Sequence, residues 1–242
     1  MNHYLEIKEI KKMIIKSLFS NVLLYDQLVL KGGTALEILG FNQRASMDID
    51  FSMEGSFKKE DLETLQHSIE KSLKSTFNEK GLDIMDVKLL ESPTKMSPKK
   101  KKYWGGYDLE FKIIDSKNYE LFKKGDISIH NLRQSSKVID TSSQKKTFKV
   151  DISRYEYCEH KELKELDGHN IYIYSPLMIV YEKLRAICQQ NKEYKISEAV
   201  SIRPRARDFF DIHSILEENH DSYLREKVTE KDNLEIIKEM FK

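Results

Sequence analysis

Cysteine, proline and tryptophan are scarce in this chain: its 242 residues include two cysteines, four prolines and one tryptophan. The cysteines, Cys158 and Cys188, have no CxxC spacing. That excludes a disulfide scaffold and a cysteine-built zinc site, and it makes a reduced cytosolic protein the default. Long apolar runs are also missing, none approaching the ~20 residues that span a bilayer. The opening MNHYLEIKEIKK is charged and helical in pattern, without the apolar stretch and cleavage site of a signal peptide. The expected location is the cytoplasm, with no membrane contact. An excess of one charge is lacking too, with 41 Lys and Arg against 40 Asp and Glu. A globally basic nucleic-acid binder is therefore not indicated, and any such contact must come from a local patch. There is no GxxxxGK[ST] phosphate loop and no Ser/His/Asp or Cys/His arrangement, so His213 has nothing to act on.

What remains is 39% hydrophobic and 33% charged, enough to bury a core under a well-solvated surface. The length suits one large domain or two small ones fused without a long linker. Helical spacing covers residues 4–19, a short helix after Gly32-Gly33 closes at Gly40, and a longer one covers residues 58–77 before Gly81. Alternation of period two predicts strands around Asp48–Phe51, at 83–90, at 106–114 and at Phe148–Ile152. Residues 116–145 are polar and show no clear period. A short strand at 170–174 runs into Ser175-Pro176, an N-cap with proline at the first helical position. Helices alone follow. The order predicts an α/β (α+β) part over residues 1–174 and a helical part over residues 175–242.

Chemistry concentrates in KGGTALEILGFNQRASMDIDFS, residues 31–52. Asp48 and Asp50, two apart on a strand, point to one face. Side by side they repel, and a divalent cation such as Mg²⁺ resolves the repulsion through oxygen ligands. Gly32 and Gly33 let backbone approach a ligand, and the helix that follows offers N–H groups to a phosphate. Lys31, Thr34, Arg44 and Ser46 flank that turn as further contacts. The segment as a whole predicts a site for a metal-bound nucleoside triphosphate. Asp151, in KVDIS, is a candidate third carboxylate for a two-metal site. On residues alone it stands level with a merely solvated acid, and Asp108 and Glu110 compete with it. Lys183 borders the stripe of Val180, Leu184 and Ile187, where a lysine commonly snorkels to water but could instead reach a triphosphate. In RARDFFDIHSIL, Asp208 and Asp211 share a face with Ile212 and Ile215. They predict an ion pair with a base such as Lys183, a cap on neighbouring backbone, or a share in the active site. The densest basic patch is Lys99 to Lys102, followed by Tyr103 and Trp104, which could hold RNA or be a solvated loop.

Taken together, LKGGTALEILGFNQRASMDIDF, EKLRA and RDFFDI resemble, in order, the signatures of AbiEii/AbiGii-type nucleotidyltransferase toxins, which include the MenT-like toxins of type IV toxin–antitoxin systems. The resemblance implies a DNA polymerase β-like nucleotidyltransferase core with a mixed sheet, and a Mg²⁺-dependent enzyme that takes a nucleotide from an NTP. It implies an RNA acceptor such as the tRNA 3′ end, a cognate antitoxin and a role in abortive infection. Mapped by position, Asp48 and Asp50 match the metal pair, joined by Asp151. Gly32, Gly33 and Thr34 match the phosphate turn. Lys183 matches the triphosphate-facing lysine, and Asp208 and Asp211 the C-terminal acidic motif. Relatives often carry an arginine after EKLRA where Gln189 and Gln190 stand here, leaving Arg185 or Lys192 as substitutes. Rival readings are a small-molecule nucleotidyltransferase acting on an antibiotic or sugar, and a non-catalytic nucleotide-binding module.

Overall fold

The computed structural model describes residues 3–41, 46, 48–95, 104–140, 142–191, 193–194, 204–218 and 223–241. Its strands are β1 (Val29–Lys31), β2 (Ile49–Ser52), β3 (Leu82–Ser92), β4 (Gly106–Asp115), β5 (Phe148–Ser153), β6 (Lys161–Leu166) and β7 (His169–Tyr174). They form one mixed sheet in the order β3-β4-β5-β2-β1-β7-β6. β2 with β5 and β1 with β7 are parallel, and the other neighbours are antiparallel. The helices are α1 (His3–Phe19), α2 (Gly32–Leu39), α3 (Leu62–Asn78), α4 (Ser116–Lys123), α5 (Ile129–Gln134), α6 (Pro176–Cys188), α7 (Ala206–Glu218), α8 (Leu224–Thr229) and α9 (Leu234–Met240). This is the mixed α/β architecture expected. No helix among the described residues is long and apolar enough to cross a membrane.

Alternation sorts the central strands into two faces. Leu30, Phe51, Ile152 and Tyr107 lie in register across β1, β2, β5 and β4, all buried. On this side α3 buries Leu65, Ile69, Leu73 and Phe77, spaced at three to four residues, and packs against β3 and α1. The opposite face carries the polar residues of the same strands. Ile215, Leu224, Ile236 and Met240 from the C-terminal helices join the same buried cluster as the sheet residues.

Three elements differ from the sequence expectation. The helix placed at 58–77 starts at Leu62, after a 3₁₀ turn over Lys59–Asp61. The stretch without clear period contains α4 and α5, which close a small separate cluster of Met85, Ile114 and Leu132. Strand β6, KELKEL, is an addition. As an exposed edge strand it carries charge instead of an apolar alternation. Its signal was the Asp167-Gly168 pair, both residues at positive φ, which is the turn chemistry of a two-residue hairpin.

Candidate active site

The site begins where β1 hands over to α2. Lys31 is the N-cap residue, and its side chain makes no capping hydrogen bond to α2. Gly32 has φ +70°, and a Cβ built there would lie 2.5 Å from Asp50 Oδ2. A Cβ on Gly33 would lie 2.8 Å from Ser46 Oγ. Gly32 is therefore demanded by close approach of the acid strand, and Gly33 by close approach of Ser46, which precedes that strand. The Thr34 hydroxyl donates to the Asp48 carbonyl at 2.6 Å, tying the start of α2 to the chain entering β2, and Ser46 Oγ donates to the same carbonyl at 3.4 Å. Gly32→Ala is expected to destabilise the fold by about 1–2 kcal/mol through the left-handed backbone alone, and more through the displaced Asp50. It should also impair the nucleotide transfer that the resemblance implies. An unchanged melting temperature and transfer rate in Gly32→Ala would show that the turn tolerates a side chain.

Strand register assembles the acids. Lys31 pairs with Asp50, Asp50 with Asp151, and Asp151 with Asp108, so the four form one row across β1, β2, β5 and β4. Glu110 falls opposite Lys149, one step along. Asp48 lies just before β2 and is exposed. Burial, then the negative charges of Glu182, Asp151 and Asp48, push the Asp50 carboxyl up to about 7, with Lys31 offsetting part of the effect. Asp151 is raised by burial and by its hydrogen bond with Asp108, against the pull of Lys149. The Lys149 ammonium bridges the pair, 2.7 Å from Asp151 and 3.2 Å from Asp108.

Helix α6 covers the polar face at its β1 end. Its Glu182 stands 3.3 Å from Lys31 Nζ, and Glu156, after β5, stands 3.7 Å from it. Arg185 donates to Glu156 at 3.1 Å and to the Met240 carbonyl at 2.7 Å. This buried chain employs Arg185 structurally; Lys192, the other substitute for an arginine there, lies outside the described residues. Burial alone would lower the Lys31 pKa, but Glu182 and Glu156 outweigh it and raise it. The next residue along α6, Lys183, is buried with its ammonium 2.6 Å from Asp211 and 3.4 Å from Asp208. Of the alternatives left open for Asp208 and Asp211, this is the ion pair with Lys183. Glu182, Glu156 and Lys149 had no sequence signal, being single charged residues on a helix, in a loop and on a strand. Arg44 and Lys99 to Tyr103 also lie outside the described residues, and Trp104 is exposed with its carbonyl held by Arg154.

The donor set suits a cation. Among the described residues, this network sets six carboxylates (Asp48, Asp50, Asp108, Asp151, Glu156 and Glu182) against three cations (Lys31, Lys149 and Arg185). Hard carboxylate oxygens with a deficit of positive charge are what Mg²⁺ prefers. They are not already gathered into a coordination sphere, since no three His, Cys, Asp or Glu side chains among the described residues group in metal-holding geometry.

A family model described as "Nucleotidyl transferase AbiEii toxin, Type IV TA system" matches residues 14–235. The chain belongs to this AbiEii family. It is accordingly a nucleotidyltransferase toxin of a toxin–antitoxin system, and its family implies an antitoxin partner. No curated protein sequence matches it. Among solved structures, JHP933 from Helicobacter pylori is 18% identical, with 100% of this chain and 79% of that one covered at a TM-score of 0.49. An antigenic nucleotidyltransferase-like protein from Paracoccidioides brasiliensis is 13% identical, with 96% and 93% covered at a TM-score of 0.43. Both are distant likenesses of chain trace.

Proposed function

We propose that this AbiEii-family chain transfers a nucleotide from an NTP to an RNA acceptor such as the tRNA 3′ end, with Mg²⁺ held by Asp48 and Asp50 and approached by Asp151. The observation that carries the reading is the register row that sets Asp50 between the glycine turn and Asp151. Mg²⁺, when bound, neutralises charge on the triphosphate and on the departing pyrophosphate. The start of α2, which the Lys31 side chain does not cap, offers the amides of Gly33 and Thr34 to phosphate oxygens. Lys31 and Ser46 border the same turn. Asp151, whose raised pKa follows from burial and from Asp108, is suited to take the proton of an acceptor hydroxyl. For Lys183 to hold a phosphate, the triphosphate must compete with Asp208 and Asp211 for its ammonium. Growth arrest by blocked tRNA, released by the antitoxin and serving abortive infection in the cytoplasm, is the biological reading that follows.

Incubation with each α-labelled NTP and Mg²⁺, with and without tRNA, tests the chemistry. Label is expected on tRNA, lost when its 3′ end is oxidised and lost on chelation. Label entering a small molecule without RNA would reject the RNA acceptor, and no transfer under any condition would reject catalysis by this chain.

A further inference from the structure

The row that builds the site also sets a problem. Lys31 and Asp50 are directly opposed on neighbouring antiparallel strands and point to the same face. Opposite charges so placed ordinarily pair, since their Cβ atoms stand only ~4.5–5.5 Å apart. A paired Asp50 would meet an incoming cation already neutralised. The structure has a different arrangement. The ion pairs of Lys31 among the described residues are with Glu182 at 3.3 Å and Glu156 at 3.7 Å, and Asp50 is not among them. Glu182 comes down from α6, and Glu156 lies beyond the end of β5, where Arg185 also holds it. Lys31 is buried, so it has no solvent to turn to and must choose between carboxylates.

We propose that Glu182 and Glu156 are positioning residues that draw the Lys31 ammonium away from Asp50 and so leave that carboxylate free for a divalent cation. The inference rests on the reading of Asp50 as a metal-holding residue. It adds a function for α6 that concerns the cation and not the triphosphate. It also explains a buried lysine beside a site that needs negative charge: Lys31 fastens α6 to β1, and the two glutamates absorb its charge.

The test is Mn²⁺ binding, followed by calorimetry and by loss of the free-ion EPR signal, in wild type, Glu182→Gln and Lys31→Met/Glu182→Gln. Removing the charge of Glu182 should let Lys31 turn to Asp50. An opposite charge brought within ~4–6 Å of a carboxylate shifts its proton affinity by one to three powers of ten, so Mn²⁺ affinity in Glu182→Gln should fall about tenfold or more. Deleting the ammonium as well should return affinity to within about threefold of wild type, because the two changes act on one interaction. Should Glu182→Gln fail to fold, Glu182→Asp keeps the charge but withdraws it by one methylene. It is expected to show a smaller loss that Lys31→Met again cancels. Wild-type affinity in Glu182→Gln overturns the inference alone, and so does a double variant as weak as the single one, because Glu182 would then be acting on the cation directly. Wild-type protein that takes up no Mn²⁺ removes the metal site and this inference with it.

Discussion

Asp50→Asn is expected to abolish nucleotide transfer while making the metal-free protein more stable. The two effects have one cause. Burial and the charges of Glu182, Asp151 and Asp48 raise the Asp50 carboxyl from 3.8 to about 7. Between those values the folded protein binds more protons at this position than the unfolded chain does, so stability falls as pH rises. Above about pH 7 the whole cost of the ionised carboxylate is present. At ~1.4 kcal/mol per pKa unit, the cost is at most about 4 kcal/mol. Asparagine carries no such cost. Melting temperatures of wild type and Asp50→Asn should therefore converge near pH 4 and separate by several degrees above pH 7. Added Mg²⁺ should narrow the gap by stabilising wild type alone. Asp48→Ala should also abolish transfer, but with stability unchanged, because Asp48 is exposed. Transfer at the wild-type rate in either variant removes the assignment of the acid pair. A gap that stays constant between pH 4 and 8 removes the electrostatic account of Asp50.

The second large effect concerns the buried pair behind the site. Lys183 and Asp211 are 2.6 Å apart, and the side chains are 10% and 2% exposed. Asp211→Ala leaves the ammonium buried with Asp208 as its remaining partner, 3.4 Å away. Breaking a buried ion pair on one side costs about 3–5 kcal/mol, whereas replacing both members by apolar residues of similar volume is often neutral. Asp211→Ala should therefore lower the urea midpoint sharply, and Lys183→Met/Asp211→Leu should recover most of the loss. Transfer activity separates structure from chemistry. If Lys183 also holds a phosphate, the stabilised double variant stays inactive. A double variant that regains both stability and transfer would confine Lys183 to a structural role. A loss below about 1 kcal/mol in Asp211→Ala would mean that the pair is not sealed from water.

These expectations draw on two kinds of information. Local chemistry was legible in the chain itself. Gly32 and Gly33 announced a close approach, the alternation around Asp48 and Asp50 announced a strand with acids on one face, and Ser175-Pro176 announced the start of α6. Each is a property of a few consecutive residues, set by backbone sterics and by the two-residue and 3.6-residue periods. Resemblance to the AbiEii signatures lay in the same short segments. Asp151 could be named from its strand but not chosen over Asp108 or Glu110. That choice depends on how β4, β5 and β2 align, and a slip of one residue would turn every side chain to the other face.

Register put Asp151 beside Asp50, put Asp108 behind it and sent Glu110 to Lys149. Tertiary packing alone decided the partners of Lys31. Glu182 and Glu156 are single acids far from it in the chain, and only the docking of α6 on the sheet brings them to its ammonium. The sequence by itself thus determined which residues carry charge, where strands and helices begin, and the family of the chain. The tertiary structure determined which charges neutralise one another, because in a low-dielectric interior an ion's partner is set by distances of a few ångströms between segments remote in sequence.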